Sequence, residues 1–343
     1  MVDVTIRGAG VFGLTIAWSC VRRGAQVQVI DPHGPGAGSS GGIVGALAPH
    51  VPENWNPKKA FQLDSLLMAE AFWAQVAEAG GGQPGYIRSG RIQPVMDIAG
   101  LSLAQSRAVS AQDLWQGKAA WHVERATGEY WAPNTATDWV IRDTLSALLH
   151  PKHAITALVA ALRAAGTVIA PDGQDRGATV WATGVEGLKT LGTGRSRAVG
   201  TGVKGQAALL EYDMRGAAQL FVDGVHIIPH LDGTVAIGST SERDFDAPDT
   251  TDAQLDAVLD KARQAVPALR HAPVLALWAG VRPRARSRAP MLGAWPDRPE
   301  HFIANGGFKI GFGMAPKVAQ VMTDLVLEGL NDVPSGFEVA ASF

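Results

Sequence analysis

The stretch VTIRGAGVFGLTIAWSCVRRGAQVQVID, residues 4–31, joins a short β-branched run, closely spaced glycines and an apolar helical segment. A dinucleotide-binding unit needs this order, because a strand must turn tightly into a helix whose N-terminus faces a pyrophosphate. Residues 4–6 are predicted to form the first strand and residues 27–30 the second. A GxGxxG spacing alone is a weak signal in a chain with 40 glycines, so a purely structural turn is the alternative. The complete strand–helix–strand pattern favours the dinucleotide unit.

The three glycines of this unit have separate physical roles. Gly8 permits the tight turn, Gly10 lets the backbone approach a phosphate, and Gly13 lets the helix pack against the strand. Val11 and Phe12 complete the predicted cofactor loop.

Asp31 ends the second strand, where a carboxylate can accept hydrogen bonds from ribose hydroxyls. A solvated acid at a strand end is the alternative. The unit therefore predicts a site for the adenine half of a dinucleotide, and it does not distinguish NAD from FAD.

Composition limits the classes of protein that need to be considered. The chain has 343 residues, of which 46% are apolar, and this length indicates one large or two modest domains. Its formal charge of −2 argues against broad binding to nucleic acid or anionic membranes. Cys20 is the single cysteine, so no internal disulfide can form, and we expect a cytoplasmic protein without a membrane span.

Further along the chain, nucleotide-type and β-rich segments alternate. Residues 57–80 are predicted to form a long helix capped by Asn56, and residues 150–166 an amphipathic helix. Residues 86–139 are interpreted as short strands, and strand-like runs dominate residues 196–285. The alternation predicts two domains whose chain segments interleave.

Four segments resemble the superfamily of flavin-dependent D-amino-acid oxidases, glycine oxidases and sarcosine oxidases, and the glycine oxidase branch is the most similar. They are the opening unit, SSGGIVGALAP (residues 39–49), TVWATG (179–184), and the pair WAGVRPRARSRAPMLG (278–293) and ANGGFKIGFGMAP (304–316). The resemblance implies non-covalently bound FAD. It also implies an α/β fold in which a Rossmann-like FAD-binding domain, residues 1–79, 140–196 and 286–343, is interleaved with an α+β substrate domain. That second domain, residues 80–139 and 197–285, is expected to be built on an antiparallel sheet.

The same segments supply the predicted cofactor contacts. Gly and Ser backbone and hydroxyl donors suit phosphates, and a helix N-terminus near the flavin would stabilise negative charge on the reduced ring. Besides the opening unit, the predicted cofactor-binding residues are Ser39, Ser40, Gly41, Gly45, Thr183, Gly184, Gly307, Phe308, Lys309 and Gly311.

Three side chains are predicted to act on the substrate. Arg282 occupies the superfamily's carboxylate-anchor position, and a guanidinium pairs with both carboxylate oxygens. Lys309 lies where glycine oxidases carry a second basic residue, or else at the surface. His226 falls where relatives often present a tyrosine to the substrate, or else is simply packed. No metal-type spacing of Cys and His occurs, so no metal site is predicted.

These features predict the oxidation of a small amino or imino acid by hydride transfer to flavin N5. The product imine would hydrolyse to a keto acid, and oxygen or another acceptor would take the electrons. The alternatives are modification of a tRNA-linked amine and a nucleotide-binding scaffold without turnover. Nucleic acid is not an expected partner, and homo-oligomerisation is left open.

One departure from the superfamily concerns residues 167–180. Relatives usually carry a β-meander after the helix that corresponds to residues 150–166, but this segment is too short for several strands of about five residues each. The adenine is therefore expected to be less covered, and FAD is expected to dissociate readily.

Overall fold

The computed structural model describes residues 1–343 as two large β-sheets flanked by helices. The strands are β1 (Val4–Arg7), β2 (Val27–Ile30), β3 (Ala46–Leu47), β4 (Arg91–Pro94), β5 (Trp121–Arg125), β6 (Trp139–Asp143), β7 (Ala147–Leu148), β8 (Val168–Ala170), β9 (Ala178–Trp181), β10 (Gly200–Glu211), β11 (Gln219–Val222), β12 (Val225–Pro229), β13 (Thr234–Gly238), β14 (Val274–Ala285), β15 (Met291–Ala294) and β16 (His301–Asn305). The helices are α1 (Val11–Arg22), α2 (Pro57–Gly80), α3 (Ile98–Leu114), α4 (Pro151–Ala164), α5 (Gly184–Gly192), α6 (Ala253–Ala265) and α7 (Gly311–Glu328).

The first sheet has the order β15-β16-β9-β1-β2-β8 and is parallel except for the edge strand β15. Its centre is the predicted β1–α1–β2 unit, in which Val4 pairs with Val27 and Arg7 with Ile30. Both strands are mostly buried, as expected for a parallel sheet covered on its faces.

Helices cover this sheet. α1 packs against α4 and α7, and α2 packs against the same two helices. The face of α4 that carries Ala154, Leu158 and Leu162 is buried, which is the helical spacing that its sequence predicts. None of the helices combines the length and the apolar character needed to cross a bilayer.

The second sheet has the order β14-β10-β13-β12-β11-β4-β6-β5 and is antiparallel except where β11 meets β4. β10 and β14 are its long strands, paired from Gly200–Ala285 to Leu210–Val274. Pro283 lies within β14, and an edge strand tolerates proline because its outer side needs no backbone donor. The parallel and antiparallel sheets confirm the predicted fold class.

The chain passes between the sheets several times. β1 and β2 lie in the first sheet, β4 to β6 in the second, β8 and β9 in the first again, β10 to β14 in the second, and β15 and β16 in the first. The boundary predicted at residue 140 falls inside β6, a strand of the second sheet. The exact domain limits remain a prediction.

Most long elements are where the sequence predicts them. Asn56 caps α2 by accepting a hydrogen bond from the backbone N of Lys59, and Gly81 ends the helix in the left-handed conformation. The interpretation of residues 86–139 as short strands is wrong for α3, whose 17 residues form a helix capped by Asp97. Only Ala104 and Ala111 of α3 are buried. The helix therefore has almost no apolar face from which the sequence could predict it.

The shortened segment between β8 and β9 contains no further strand. Its loop is held against the first sheet by Arg7, which forms an ion pair with Asp175 at 2.6 Å and donates to the carbonyl of Gly173. Thr5 also donates to the carbonyl of Arg176. The expected absence of a β-meander is confirmed.

Candidate functional site

A cleft of about 990 Å³ runs from the carboxyl ends of β1 and β2 to the middle of β14. Its walls come from both sheets, from the loop between β2 and β3, and from the loop that leads into α7. The carboxyl edge of a parallel sheet is where doubly wound folds bind ligands. This cavity is therefore where the predicted cofactor and substrate residues are expected to lie together.

The glycine loop forms one end of the cleft. Gly8 has φ +106°, a conformation that favours glycine. A Cβ at this position would also clash with the backbone carbonyl oxygen of Ala182, only 2.4 Å away, so no other residue fits here. Gly10, Val11 and Phe12 line the cavity at the N-terminus of α1. The first amides of a helix have no intrahelical partners and carry its positive end, so this wall suits a phosphate.

Ser40 links the second loop to the first. Its hydroxyl accepts a hydrogen bond of 3.0 Å from the backbone N of Val11, and both Ser39 and Ser40 line the cleft. A Cβ on Gly10 would lie 3.2 Å from the same hydroxyl oxygen. The two loops therefore approach each other closely beside Gly10, which lines the cleft.

Asp31 faces the cleft from the end of β2. Its Oδ2 accepts from the backbone N of Ala9 at 2.7 Å, and its Oδ1 accepts from the N of His33 at 2.9 Å. These bonds fix the carboxylate and leave further acceptor sites on both oxygens. The geometry is compatible with the predicted ribose contact.

Two predicted cofactor residues lie behind the cavity wall. A Cβ on Gly13 would overlap the carbonyl oxygen of Gly8, so Gly13 allows α1 to pack on the loop, the helix-packing role assigned to it from the sequence. Gly41 does not line the cleft, and a Cβ there would overlap the carbonyl of Gly36. Gly45 does line it. Gly13 and Gly41 thus shape the loops that present their neighbours.

Thr183 and Gly184 line the cleft after β9, at the start of α5. Asn305, at the end of β16, donates from its side-chain amide to the carbonyl of Gly184 at 2.8 Å and also lines the cleft. Sequence reasoning did not select Asn305. In the sequence, the only indication of a role for Asn305 is its position between a strand and a Gly-Gly turn.

The loop before α7 forms the opposite wall. Gly307, Phe308, Lys309 and Gly311 all line the cleft. Phe308 has φ +45°, and a Cβ on Gly307 would lie 2.8 Å from the ring of Phe12. α7 begins at Gly311, so this loop leads directly into the N-terminus of the helix.

Arg282 projects from β14 into the cleft and is 9% exposed. Its Nη2 donates to the Ser239 hydroxyl at 2.7 Å, and its Nη1 donates to the carbonyl of Thr240 at 3.4 Å. No carboxylate forms an ion pair with it. Burial, partly offset by the charge of Glu242, lowers the pKa of Arg282 to about 10.

A buried polar network lies next to Arg282. Glu242 accepts hydrogen bonds from Thr240 and Gln206, and its Oε2 lies 3.5 Å from Nζ of Lys204. Because these groups occupy the carboxylate, Glu242 does not bond directly to the guanidinium. Glu242 is not among the residues that the sequence predicts for the site.

Lys309 is accessible from the cleft and adds a second cation to the same region. Burial by the cleft walls, followed by the charges of Arg282 and Arg284, lowers its pKa. Arg284 extends from the same strand as Arg282, and its guanidinium lies 5.4 Å from the Phe308 ring. This region of the cleft is therefore positively charged.

His226 is not part of the cleft wall. Its ring packs 4.6 Å from that of Phe221, and its Nδ1 is buried without a hydrogen-bond partner. Burial, and then the charges of Arg91, Lys309 and Arg282, lower its pKa to about 3. The histidine is thus neutral at pH 7 and lies within electrostatic range of the cations, and its substrate role remains a prediction.

Trp278, the first residue of the segment that contains Arg282, lines the cleft and is not among the predicted site residues. A Cβ on Gly280 would lie 2.5 Å from its indole ring, and one on Gly42 would lie 3.3 Å from it. The glycines on β14 and in the second loop make room for this aromatic wall. The WxG spacing was the signal available in the sequence.

The family model of FAD-dependent oxidoreductases (DAO) matches residues 3–325 of the chain. The chain belongs to this family. The predicted superfamily and the predicted cofactor, FAD, are confirmed. The cleft fits that cofactor, because a glycine loop that excludes side chains, a fixed carboxylate and a helix N-terminus occupy its dinucleotide end.

Relatives within this family match the chain over nearly its whole length. Glycine oxidase of Pseudomonas putida is 26% identical over 361 residues, which cover 94% of each protein. The bifunctional protein ThiO/ThiG of a Nostoc species is 25% identical, and the match covers 96% of this chain and 53% of that protein. The chain thus spans about half the length of the bifunctional relatives.

Solved structures show the same fold. Glycine oxidase from Geobacillus kaustophilus has a TM-score of 0.84 at 21% identity, with 98% of both chains covered. Iminodiacetate oxidase from a Chelativorans species has a TM-score of 0.83 at 21% identity, with 97% of both chains covered.

Proposed function

We propose that this protein uses FAD to oxidise a small amino or imino acid whose carboxylate binds Arg282. The observation that carries the proposal is a buried guanidinium that faces the cleft and has no ion-pair partner. A buried charge without a partner is costly, so its retention at a cleft wall indicates that a ligand supplies the opposite charge.

The chemistry of the cleft restricts the ligand. The Arg282 fork can pair with both oxygens of a carboxylate, and Lys309 and Arg284 strengthen the positive potential around it. A small amino or imino acid places its oxidisable carbon one bond from that carboxylate. The names of the relatives, glycine oxidase and iminodiacetate oxidase, support the same substrate class.

The residues that would hold FAD are those of the dinucleotide end and the two loops beside it. Gly8, Gly10 and the α1 amides would face the pyrophosphate, Asp31 the ribose, and the loop before α7 the flavin. FAD supplies two-electron oxidation of a C–H bond next to nitrogen. Arg282 would orient the carbon, and Trp278 and Phe308 would exclude water. The resulting imine would hydrolyse to a keto acid.

Lys309 is proposed to favour reaction with oxygen by stabilising negative charge near the flavin. Lys309→Met is then expected to slow reoxidation by oxygen more than anaerobic reduction, which stopped-flow absorbance separates. A cytoplasmic location remains a prediction, as does electron transfer to oxygen or another acceptor, and homo-oligomerisation stays an open alternative.

The proposal is tested by anaerobic reduction of the purified protein. Its flavin absorbance is recorded with glycine, sarcosine, proline, iminodiacetate and D-amino acids, each paired with the corresponding amine that lacks a carboxylate. We expect at least one acid to reduce the flavin far faster than its decarboxylated partner. Equal reduction by both members of every pair would refute the anchor. A flavin-containing protein that no acid reduces would favour the scaffold alternative.

A further inference from the structure

A cluster of His150, His230 and Asp232 lies outside the cofactor cleft, where the two sheets meet. His150 is the residue before α4, His230 follows β12, and Asp232 lies in the turn between β12 and β13. One ligand atom from each of the three lies within 4.8 Å of the others. His150 is far in the sequence from His230 and Asp232, so no local spacing could predict the cluster.

The hydrogen bonds around His230 determine which of its nitrogens carries the proton. The Thr234 hydroxyl donates its single proton to Oδ1 of Asp232 at 2.7 Å, since an ionised carboxylate can only accept. The Nδ1 of His230, 3.1 Å from the same hydroxyl oxygen, must therefore donate to it. This leaves Nε2 as the unprotonated nitrogen; it is buried, makes no hydrogen bond of normal geometry in a residue that is 1% exposed, and the backbone of Ile43 also faces the ring.

The ring of His150 packs against the ring of His230. The backbone of His150 is fixed at the start of α4, because its N donates to the carbonyl of Pro84 and its carbonyl accepts from the N of Ala154. The side chain is 6% exposed, its ring centroid lies 4.4 Å from that of His230, and its Nδ1 is buried without a partner. Two unpartnered imidazole nitrogens thus lie beside one carboxylate.

We propose that His150 Nδ1, His230 Nε2 and a carboxylate oxygen of Asp232 bind a divalent first-row transition metal ion of the zinc type. Neutral imidazoles and a carboxylate are the ligands that such ions prefer, and water would complete the shell. Metal–ligand distances of about 2.0–2.2 Å in a tetrahedral shell require the three atoms to approach one another by up to about 1.5 Å. Asp232 is exposed on a hairpin turn, so its Oδ2 can turn toward the ion while Oδ1 keeps its bonds to Thr234, and its open side gives the ion access. Small rotations of the two imidazole rings would provide the rest of the closure.

The surroundings contain the second shell that a metal-binding histidine requires. The bond from His230 Nδ1 to Thr234, which is itself bonded to Asp232, orients the ring and makes Nε2 a better ligand. The ion would join α4 of the first sheet to the β12–β13 hairpin of the second. It would also brace Gly45, a residue of the cleft wall, because the Gly45 carbonyl accepts from the N of Leu149 beside His150.

The test uses tag-free, FAD-loaded protein that has been treated with a chelator and dialysed. Isothermal titration with Zn²⁺ and the visible absorption of added Co²⁺ measure binding without any turnover. We expect one ion per chain and a Co²⁺ spectrum with nitrogen ligation. His230→Gln should abolish the spectrum, and Asp232→Asn, an exposed change that should not impair folding, should raise Kd at least tenfold. Thr234→Val should weaken binding about 10–100-fold, whereas Thr234→Ser should not.

His271→Asn is the matched control, because His271 is an exposed histidine away from the cluster. It should bind Zn²⁺ as the unmodified chain does. The proposal is overturned if the unmodified chain binds no ion at about 100 µM, as expected if water fills the space between the imidazoles. It is also overturned if His230→Gln and Asp232→Asn leave the stoichiometry and Kd unchanged.

Discussion

Replacing Arg282 with methionine tests the carboxylate anchor, because the change removes the charge and keeps most of the side-chain length. In the complex, Arg282 would be one partner of a desolvated charge pair, and losing such a partner costs roughly 2–5 kcal/mol. That free energy corresponds to a loss of about 30-fold to 5,000-fold in kcat/KM for a carboxylate-bearing substrate. FAD content should not change, since the dinucleotide residues lie at the other end of the cleft.

The same replacement should barely alter the stability of the ligand-free fold. The buried charge lowers the pKa of Arg282 from 12.5 to about 10, an unfavourable term on the order of 3 kcal/mol that methionine removes. Methionine also loses the bond to Ser239, worth about 1.5–3 kcal/mol because the donor is charged, while the long bond to Thr240 adds little. We therefore expect a Tm that is unchanged or slightly raised while kcat/KM collapses.

Steady-state kinetics and thermal unfolding of three proteins check this reasoning. Arg286→Ala is the control, since Arg286 lies in the turn after β14 and its side chain donates only to the carbonyl of Phe343. Arg282→Lys keeps the charge and lacks the planar fork, so its kcat/KM should lie between those of the other two. An Arg282→Met protein with ordinary kcat/KM for acids would refute the anchor. A large fall in its Tm would show that Arg282 is structural.

Three further predictions concern the cofactor and pH. Gly10→Ala should fold but contain less FAD, whereas Gly13→Ala should lower Tm strongly because its Cβ would overlap the Gly8 carbonyl; flavin-to-protein absorbance and thermal unfolding distinguish them. If the short loop at residues 171–177 covers about 50–100 Å² less of the adenine, FAD binding is weaker by about 1–3 kcal/mol. FAD should then be lost on dialysis and added FAD should raise Tm, and retention of full FAD with no thermal response would contradict this. The folded-state pKa of His226, about 3, lies below its unfolded value of 6.5, so its contribution to stability is complete above pH 6.5 and is lost as pH falls toward 3. In chemical unfolding between pH 4 and 6, His226→Leu should reduce the slope of stability against pH by up to about 1.4 kcal/mol per unit, and an unchanged slope would contradict the prediction.

The sequence by itself determined the elements whose physics is local. The β1–α1–β2 unit follows from apolar periodicity and from glycines at turn positions, and the cap of α2 follows from Asn56 and Pro57. The resemblance of four short segments to flavin oxidases then indicated the cofactor, the two sheets and Arg282. α3 escaped detection because it exposes nearly all of its surface and lacks an apolar stripe.

Only the tertiary structure decided which of these residues share a cavity. Gly41 and His226 are predicted site residues, yet neither lines the cleft, while Trp278 and Asn305, which were not predicted, do. The reason is that side-chain direction depends on strand register and on loop closure, which are set by partners distant in the chain. The lack of an ion-pair partner for Arg282 has the same origin: it depends on where every other strand places its carboxylates, and no local pattern of residues specifies that.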